Sequence, residues 1–533
     1  MSSKGSMMLV LHAHMPYINH PRSSQYLEEN WFFEAVAETY IPLISVFERL
    51  VADGIRPGVT LSISPTLGAM LENEALEKKL GEYLEARLEL LERELERTAH
   101  EPAFHKTVKL YQKLYSDAAD VLHKYSGDLI TPLKVLQHAG QIEIITCSAT
   151  HAILPLLAHP EAVRAQVAVA ADDYFDRFNR KPSGFWLPEC AYNTGLNPYL
   201  KLSGFKYFFT EAHAVEFAGS PKNGVYNAYR TPNGISLFSR DAQSSREVWS
   251  SKFGYPGASE YREFYRDLGY DADEQYLKPC LGGGGRRPIG LKYYKITGPN
   301  VPLNQKLPYD PDEAMATVER HAGDFLGKRM AQIDGLYASK GIRPVIVGCY
   351  DAELFGHWWF EGPAFLESML RRIRQDRLPF QFVTPSEYLS SCPEPLELTP
   401  QISSWGENGY FDPWLNETND FIYPLTAAIT ERMIDTANRF RSQDLARLVE
   451  RALNQAAREV LLAQSSDWAF LLYIGSHGAY AKGRLDSHAA NAQRLLSEVI
   501  EKRVDEANLR ELETQNNVFA RLDFRVFSSV SKF

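Results

Sequence analysis

Two carboxylate-bearing segments of the chain have the residue types and spacing that chemistry requires. In GFWLPECAY, Glu189 follows an apolar run and is flanked by Trp186, Pro188 and Tyr192. A carboxylate at the end of a strand and hemmed by aromatic rings is placed to attack an anomeric carbon. A glutamate standing alone in such a segment could equally cap a helix or pair with an arginine, so the second segment matters. CYDAELFGHWWFEG carries Asp351, Glu353, His357, Trp358 and Trp359 at the end of the most apolar run in the chain. Burial against aromatics raises a carboxyl pKa, which lets a general acid keep its proton near neutral pH. Asp351 falls directly at the strand end, and Glu353 and Glu361 compete with it for the role.

His12 and His14, in HAHMPY, are two apart and so share one face of a strand. His151, Asp241 and His357 could in principle complete a metal site with them. No carboxylate accompanies the pair at a metal-ligand spacing, so hydrogen bonding to substrate hydroxyls or to a core carbonyl is the favoured reading. Aromatic residues gather in SREVWSSKFGYPG (Trp249, Tyr255), SSWGENGYFDPWLN (Trp405, Tyr410, Trp414) and SSDWAF (Asp467, Trp468). A single tryptophan is more often core than ligand. Three tryptophan segments that also carry Asp, Glu or Asn point to a carbohydrate cleft, because indoles stack on the C–H faces of sugars while acids accept hydroxyl protons. Gly282 to Gly285, followed by Arg286 and Arg287, lacks the GK[ST] and strand-to-helix context of a phosphate loop and reads as a flexible connection.

The elements that must position these groups are short apolar runs at 8–14, 59–64, 142–150, 184–189, 206–211, 344–353 and 380–388. Most are apolar on both faces, the mark of parallel strands covered by helices. Several end at or just before His14, His151, Glu189, Glu211 or Asp351, as the active-site face of a parallel barrel would. Between the second and third runs, Leu76, Leu80, Leu84, Leu88, Leu91 and Leu95 recur at helical spacing. From about Pro424 the pattern turns to long helices. The expected organisation is an α/β catalytic barrel over 1–70 and 128–400, a helical insertion over 71–127, and a C-terminal helical domain over 401–533 that contributes to the cleft.

With 533 residues, a net charge of −10 and a pI near 5.8, the chain is sized for a multi-domain enzyme and poorly charged for nucleic acid. Its five cysteines are scattered, with no CxxC pair, which suggests neither a disulfide framework nor a cysteine zinc site. The apolar start from Met7 to Leu11 is too short for a secretory signal, and no stretch reaches the roughly 18 apolar residues of a membrane span. A cytoplasmic location, with no membrane partner, is expected.

In order along nearly the whole chain, HAHMPY, WLPECAY, SRDAQSSREVW, YDAELFGHWW and SSWGENGYFDPWLN resemble the five motifs of glycoside hydrolase family 57, most closely those of its branching-enzyme subgroup. The resemblance implies a (β/α)7 barrel with a helical insertion and a C-terminal all-helical domain. It implies Glu189 as nucleophile and Asp351 as acid/base, without metal or cofactor. It further implies substrate contacts from His12, His14, His151, Asp241, Trp405, Trp414 and Asp467, with Trp359 and Trp468 as further stacking candidates. The implied substrate is an α-1,4-glucan such as amylose or a glycogen-like polymer, and the implied reaction is retaining transfer of a chain to a 6-hydroxyl in glycogen biosynthesis. Branching members of the family cover the cleft with a tyrosine-tipped loop. Tyr255, in a Gly-Pro punctuated turn, is expected at that exposed tip, with Tyr226 or Tyr229 as alternatives. The competing readings are an α-amylase or 4-α-glucanotransferase of the same family and, more remotely, a metal-dependent polysaccharide deacetylase or a non-catalytic glucan-binding protein.

Overall fold

We describe the protein from a computed structural model over residues 4–20, 27–219, 221–250, 252–281, 285–392 and 394–529, and these described residues form ten strands and a larger number of helices. Gly282 to Gly284 of the glycine run lie outside the described residues. The strands are β1 (Gly5–Ala13), β2 (Thr60–Ile63), β3 (Glu143–Ile145), β4 (Gly184–Phe185), β5 (Tyr207–Thr210), β6 (Tyr229–Arg230), β7 (Ser236–Ser239), β8 (Val345–Asp351), β9 (Phe380–Phe382) and β10 (Leu396–Glu397). One sheet runs β3-β2-β1-β8, with β9 also pairing with β1, and all its pairings are parallel. The other runs β10-β6-β7-β5-β4 and is parallel except for the β6–β7 pair.

The sheets meet at both ends. Thr146 bridges Phe185 in parallel, with the Trp186 N–H donating to Thr146 O at 2.8 Å, and the Asp241 N–H donates to Val347 O at 2.8 Å. Strand side chains divide by alternation into two apolar clusters. Met7, Leu9 and Leu11 of β1 join the large core against the helices. Met8 and Val10 face a separate cluster of Ile145, Trp186, Phe209, Phe238, Val347 and Cys349, drawn from both sheets. This two-sided burial is why the runs read as apolar throughout rather than alternating.

The leucine-rich segment forms the helix Glu74–Arg97, which pairs with Pro102–Lys124 and buries Leu76, Leu80, Leu84 and Leu91. Beyond residue 421 come the helices Ile422–Phe440, Arg447–Ala463, Ser466–Ile474, Gly478–Ile500 and Glu506–Gln515. No helix among the described residues is long and apolar enough to cross a membrane.

Two expectations about elements need correction, and one strand, β7 (Ser236–Ser239), had no place among the expected runs; Arg240 follows directly on its end. The run at 184–189 pairs over only two residues, so Glu189 sits on a turn beyond β4 rather than on a strand end. The run at 380–388 stops pairing at Phe382, and Thr384 caps a helix from Pro385, because proline at the first helical position suits a helix start.

Candidate active site

Parallel register between β1 and its neighbours assembles the polar floor of the site. His12 is aligned with Ser62 of β2 on one side and Asp351 of β8 on the other. The His12 ring bonds Ser62 Oγ at 3.0 Å through Nδ1, and the His14 ring bonds Ser64 Oγ at 2.9 Å. His12 Nε2 and His151 Nε2 are 2.9 Å apart, and the His14 and His151 rings stack with centroids 3.8 Å apart. Burial, then the neighbouring imidazoles, push the pKa values of His12 and His151 well below the ordinary histidine range, so both rings are neutral.

Two of these residues reach the site through backbone that L-residues seldom adopt. His151 has φ 57°, and Glu189 and Cys190 in succession have φ 59° and 50°. Such left-handed residues persist only where surrounding contacts over-determine them, and they cluster at functional sites. At Glu189 the contacts come from Trp405, whose backbone N–H donates to Glu189 O at 2.9 Å and whose indole N–H donates to Glu189 Oε2. Trp405 also meets Trp186 edge to face, and Trp186 stacks on His12 at 4.9 Å.

The helix Ser466–Ile474 closes the site from the C-terminal region. Ser466 Oγ bonds His151 Nδ1 at 2.8 Å, and Asp467 bonds His14 Nε2 at 3.1 Å. Burial alone would raise Asp467, but the charge and hydrogen bond of His14, with His151 and the Ser465 hydroxyl, together outweigh it and the carboxyl is held at about 2, so it is ionised. Asp351 and Glu189 shift the other way. Burial, then the charge of Asp351, raises Glu189 to about 8. Burial raises Asp351 to about 6, with Arg240 and His14 limiting the rise. The two carboxyl groups feel one another's charge and therefore hold one proton between them near neutral pH.

Glu353, the rival of Asp351, is committed elsewhere: its Oε1 accepts the His14 N–H at 3.1 Å and the Tyr40 hydroxyl. Burial raises it to about 8 despite the Tyr40 bond, so at neutral pH it is a protonated group anchoring the end of β1. Glu361 lies further off, buried and accepting the Arg262 N–H at 3.0 Å.

Seven expected residues thus come together: Glu189, Asp351, His12, His14, His151, Trp405 and Asp467. Five do not. Trp359 and Trp414 are 2% exposed and Trp468 is 1% exposed, all packed as core. Consecutive residues of a turn point opposite ways, and it is Trp358 that is 53% exposed, stacked on Phe264 at 4.5 Å. Trp414 acts beneath the site, lying so close under Gly406 that a Cβ there would come within 2.6 Å of its ring, which fixes the loop bearing Trp405. Asp241 is the N-cap of the helix Ala242–Trp249 and is bonded to Ser244 N and Gln332. Tyr255, expected at an exposed tip, is 8% exposed and donates to Asp324 at 2.7 Å while packing on Phe365, because its turn folds back onto the helices Pro311–Lys340 and Gly362–Gln375.

Arg240 was missed. It bonds Glu211 at 2.9 Å and Ser245 at 2.8 Å, lies 5.1 Å over the Trp405 ring, and supplies the charge that restrains Asp351. Its signal was alternation: Phe238 of β7 points into the cluster enclosed by the two sheets, so residue 240 points the same way. Ser62 and Ser64 repeat the two-residue spacing of His12 and His14 and could have been found likewise.

Against proteins already described, residues 8–401 match the model for glycosyl hydrolase family 57, and residues 426–527 match the C-terminal region of 1,4-α-glucan branching enzymes. A 1,4-α-glucan branching enzyme of Thermococcus kodakarensis is 34% identical over 97% of this chain and 77% of its own length. A probable 1,4-α-glucan branching enzyme of Mycobacterium tuberculosis is 28% identical over 94% of both chains. Among solved structures, an α-amylase of Thermotoga maritima superposes with a TM-score of 0.92 at 40% identity, covering 99% of this chain and 100% of its own. A branching enzyme of Pyrococcus horikoshii does so with a TM-score of 0.88 at 31% identity, over 99% and 97%.

Proposed function

Because the chain belongs to glycosyl hydrolase family 57, we propose that it is a retaining 1,4-α-glucan branching enzyme with Glu189 as nucleophile and Asp351 as general acid and base. In the free protein the shared proton rests on Glu189, raised to about 8 against about 6 for Asp351; with substrate in place it passes to Asp351, so that Glu189 attacks C1 of a glucose unit as carboxylate while Asp351 protonates the glycosidic oxygen. The bond to the departing chain breaks and a glycosyl ester forms on Glu189. Asp351, now ionised, takes the proton of a glucan 6-hydroxyl; that oxygen attacks C1 and Glu189 leaves as carboxylate. Two inversions leave the α configuration unchanged.

The other residues follow from their bonds. Trp405 holds Oε2 of Glu189, which leaves Oε1 as the attacking oxygen. The ionised Asp467 offers hydrogen bonds to sugar hydroxyls, the neutral His12 and His151 rings, bonded to Ser62, Ser466 and one another, hold the floor beneath it, and Arg240 keeps Asp351 from becoming too weak an acid. Arg240 is a positioning residue, acting through Trp405 and Asp351.

The observation that carries the reading is that Asp467, within the segment matching the branching-enzyme C-terminal region, bonds His14 beside the Glu189–Asp351 pair. The substrate is an α-1,4-glucan such as amylose or a glycogen-like polymer, and the enzyme works in the cytoplasm. Its scaffold is a (β/α)7 barrel of β1 to β5, β7 and β8; the bonds joining Thr146 to the β4 end and Asp241 to β8 support that closure. The barrel comprises 1–70 and 128–400, the helical insertion 71–127, and the C-terminal helical domain 401–533.

Incubation with amylose tests the activity, counting reducing ends before and after treatment with a debranching enzyme. Ends released only by debranching are expected. Ends that appear directly would favour the second reading, a hydrolase, which the likeness to the Thermotoga maritima α-amylase supports.

A further inference from the structure

The helices Glu74–Arg97 and Pro102–Lys124 do more than extend the core. Where they meet residues 268–276 and 293–294 they form an open pocket of about 450 Å³. That volume is within the range of about 300–1,000 Å³ seen for small-molecule sites. None of the residues that meet at Glu189 and Asp351 lines it.

Its walls are rings held in place. Phe104 meets Tyr294 edge to face at 5.5 Å and Tyr293 at 6.3 Å. The Arg266 guanidinium lies 3.4 Å over the Tyr294 ring. The Tyr276 hydroxyl donates to Glu94 at 2.7 Å, and Arg93 covers that ring at 5.0 Å. Phe104, Tyr276 and Tyr294 remain half-buried, so part of each is open to a ligand.

The charges at the rim are already balanced. Arg97 is paired with Glu94 at 2.7 Å and Asp271 with Arg266 at 2.8 Å, while Glu101 and Asp273 are exposed. A phosphate or carboxylate ligand would face these acids. An alkyl ligand would strand them against apolar surface. Fixed aromatic faces ringed by carboxylate oxygens suit a neutral polyhydroxylated ring, whose C–H face stacks while its hydroxyls donate.

We infer that this pocket is a second glucan-binding site, holding a segment of α-1,4-glucan apart from the catalytic pair. The inference rests on the glucan reading above. A polymer engaged here raises the effective concentration of its other segments at the cleft. The rings run inward from the pocket, Tyr293 to Tyr111 at 6.1 Å and Tyr111 to Phe360 at 5.5 Å, toward the segment that follows Asp351.

The test uses the full chain carrying Glu189→Gln, run through native gels containing glycogen, alone and with Phe104→Ala/Tyr294→Ala added. The pocket variant is expected to lose most of its retardation, with an apparent Kd raised about tenfold. With Glu189 intact, the same pair of substitutions is expected to raise KM for amylose about tenfold and leave turnover of maltoheptaose within about twofold. Glu101→Trp, at an exposed rim position away from the core, should block the pocket with the same result and decides the matter if the double variant does not fold. Retardation and KM unchanged in the folded variants would overturn the site. Pocket-dependent retardation in a protein that neither branches nor cleaves amylose would keep the site and overturn the catalytic reading.

Discussion

At the scale of single residues, the decisive property is that two carboxyl groups share one cleft and repel one another's ionisation. With Asp351 raised to about 6 and Glu189 to about 8, the singly protonated pair is populated between those values. The profile of kcat/KM against pH is therefore expected to be bell-shaped with limbs near 6 and 8. A flat profile from pH 5 to 9 would contradict it. Arg240→Met removes the cation that favours ionised Asp351, so the profile should move to higher pH, and Arg240→Lys should bring it part of the way back. Glu189→Gln should lower turnover by several orders of magnitude, because the covalent route is gone; activity within about tenfold of wild type would refute the assignment. The same substitution carries a stability signature. A carboxyl whose folded pKa is raised contributes stability that is fully present below its unfolded pKa and lost as pH rises through the folded value. The cost of Glu189 to the fold therefore builds from pH 4.5, where the unfolded carboxyl ionises, to about 8, above which it is complete, and every tenfold gain in its proton affinity on folding corresponds to about 1.4 kcal/mol. Glu189→Gln should thus melt above wild type at pH 8.5 and no higher than wild type at pH 4, as calorimetry would detect.

At the scale of elements, the site depends on supports whose sequence signals are uneven. HAHMPY lay on a continuous apolar run and was legible because β1 is long and buried on both faces. The turn at Glu189 was not, since a left-handed pair of non-glycine residues has no local signature and is imposed by Trp405 from more than two hundred positions away. Tyr255 shows the converse: Gly254, Pro256 and Gly257 mark a turn correctly, but composition does not say whether that turn faces solvent or packs onto helices. A further support is the buried ion pair of Glu38, on the π-helix Val36–Tyr40, with Arg262 at 3.3 Å, both sealed from solvent. Glu38 also bonds His357 Nδ1, six residues beyond Asp351. Arg262→Met alone is expected to destabilise by about 3–5 kcal/mol, because it takes from a buried carboxylate the guanidinium that does most to offset its burial. Adding Glu38→Leu should recover most of that loss, and chemical denaturation of the single and double variants would measure it.

At the scale of the whole molecule, distant parts of the chain are tied at the site and beside it. Tyr17 donates to Asn517, Asn19 to Thr514 O, and Thr150 to Leu461 O, while Ser466 and Asp467 grip His151 and His14. Removing residues from 422 onward is therefore expected to abolish glucan turnover even where the remaining strands fold, because His14 and His151 lose their partners. Retention of activity by the shortened chain would show that the C-terminal helices do not build the site. In the intact protein, near-ultraviolet circular dichroism and loss of activity should fall at the same temperature.

What the sequence by itself determined is what short-range pattern encodes: the apolar strands, the leucine-spaced helix, the two carboxylate segments and their ordered motifs. Which tryptophans are core and which face the cleft, which acid at 351 or 353 is free, and that Arg240 rather than Asp241 reaches the site were decided only by tertiary structure. The reason is physical. A side chain's exposure and proton affinity are set by what other segments place against it. Here those segments are brought close by parallel register between strands and by helices at the far end of the chain.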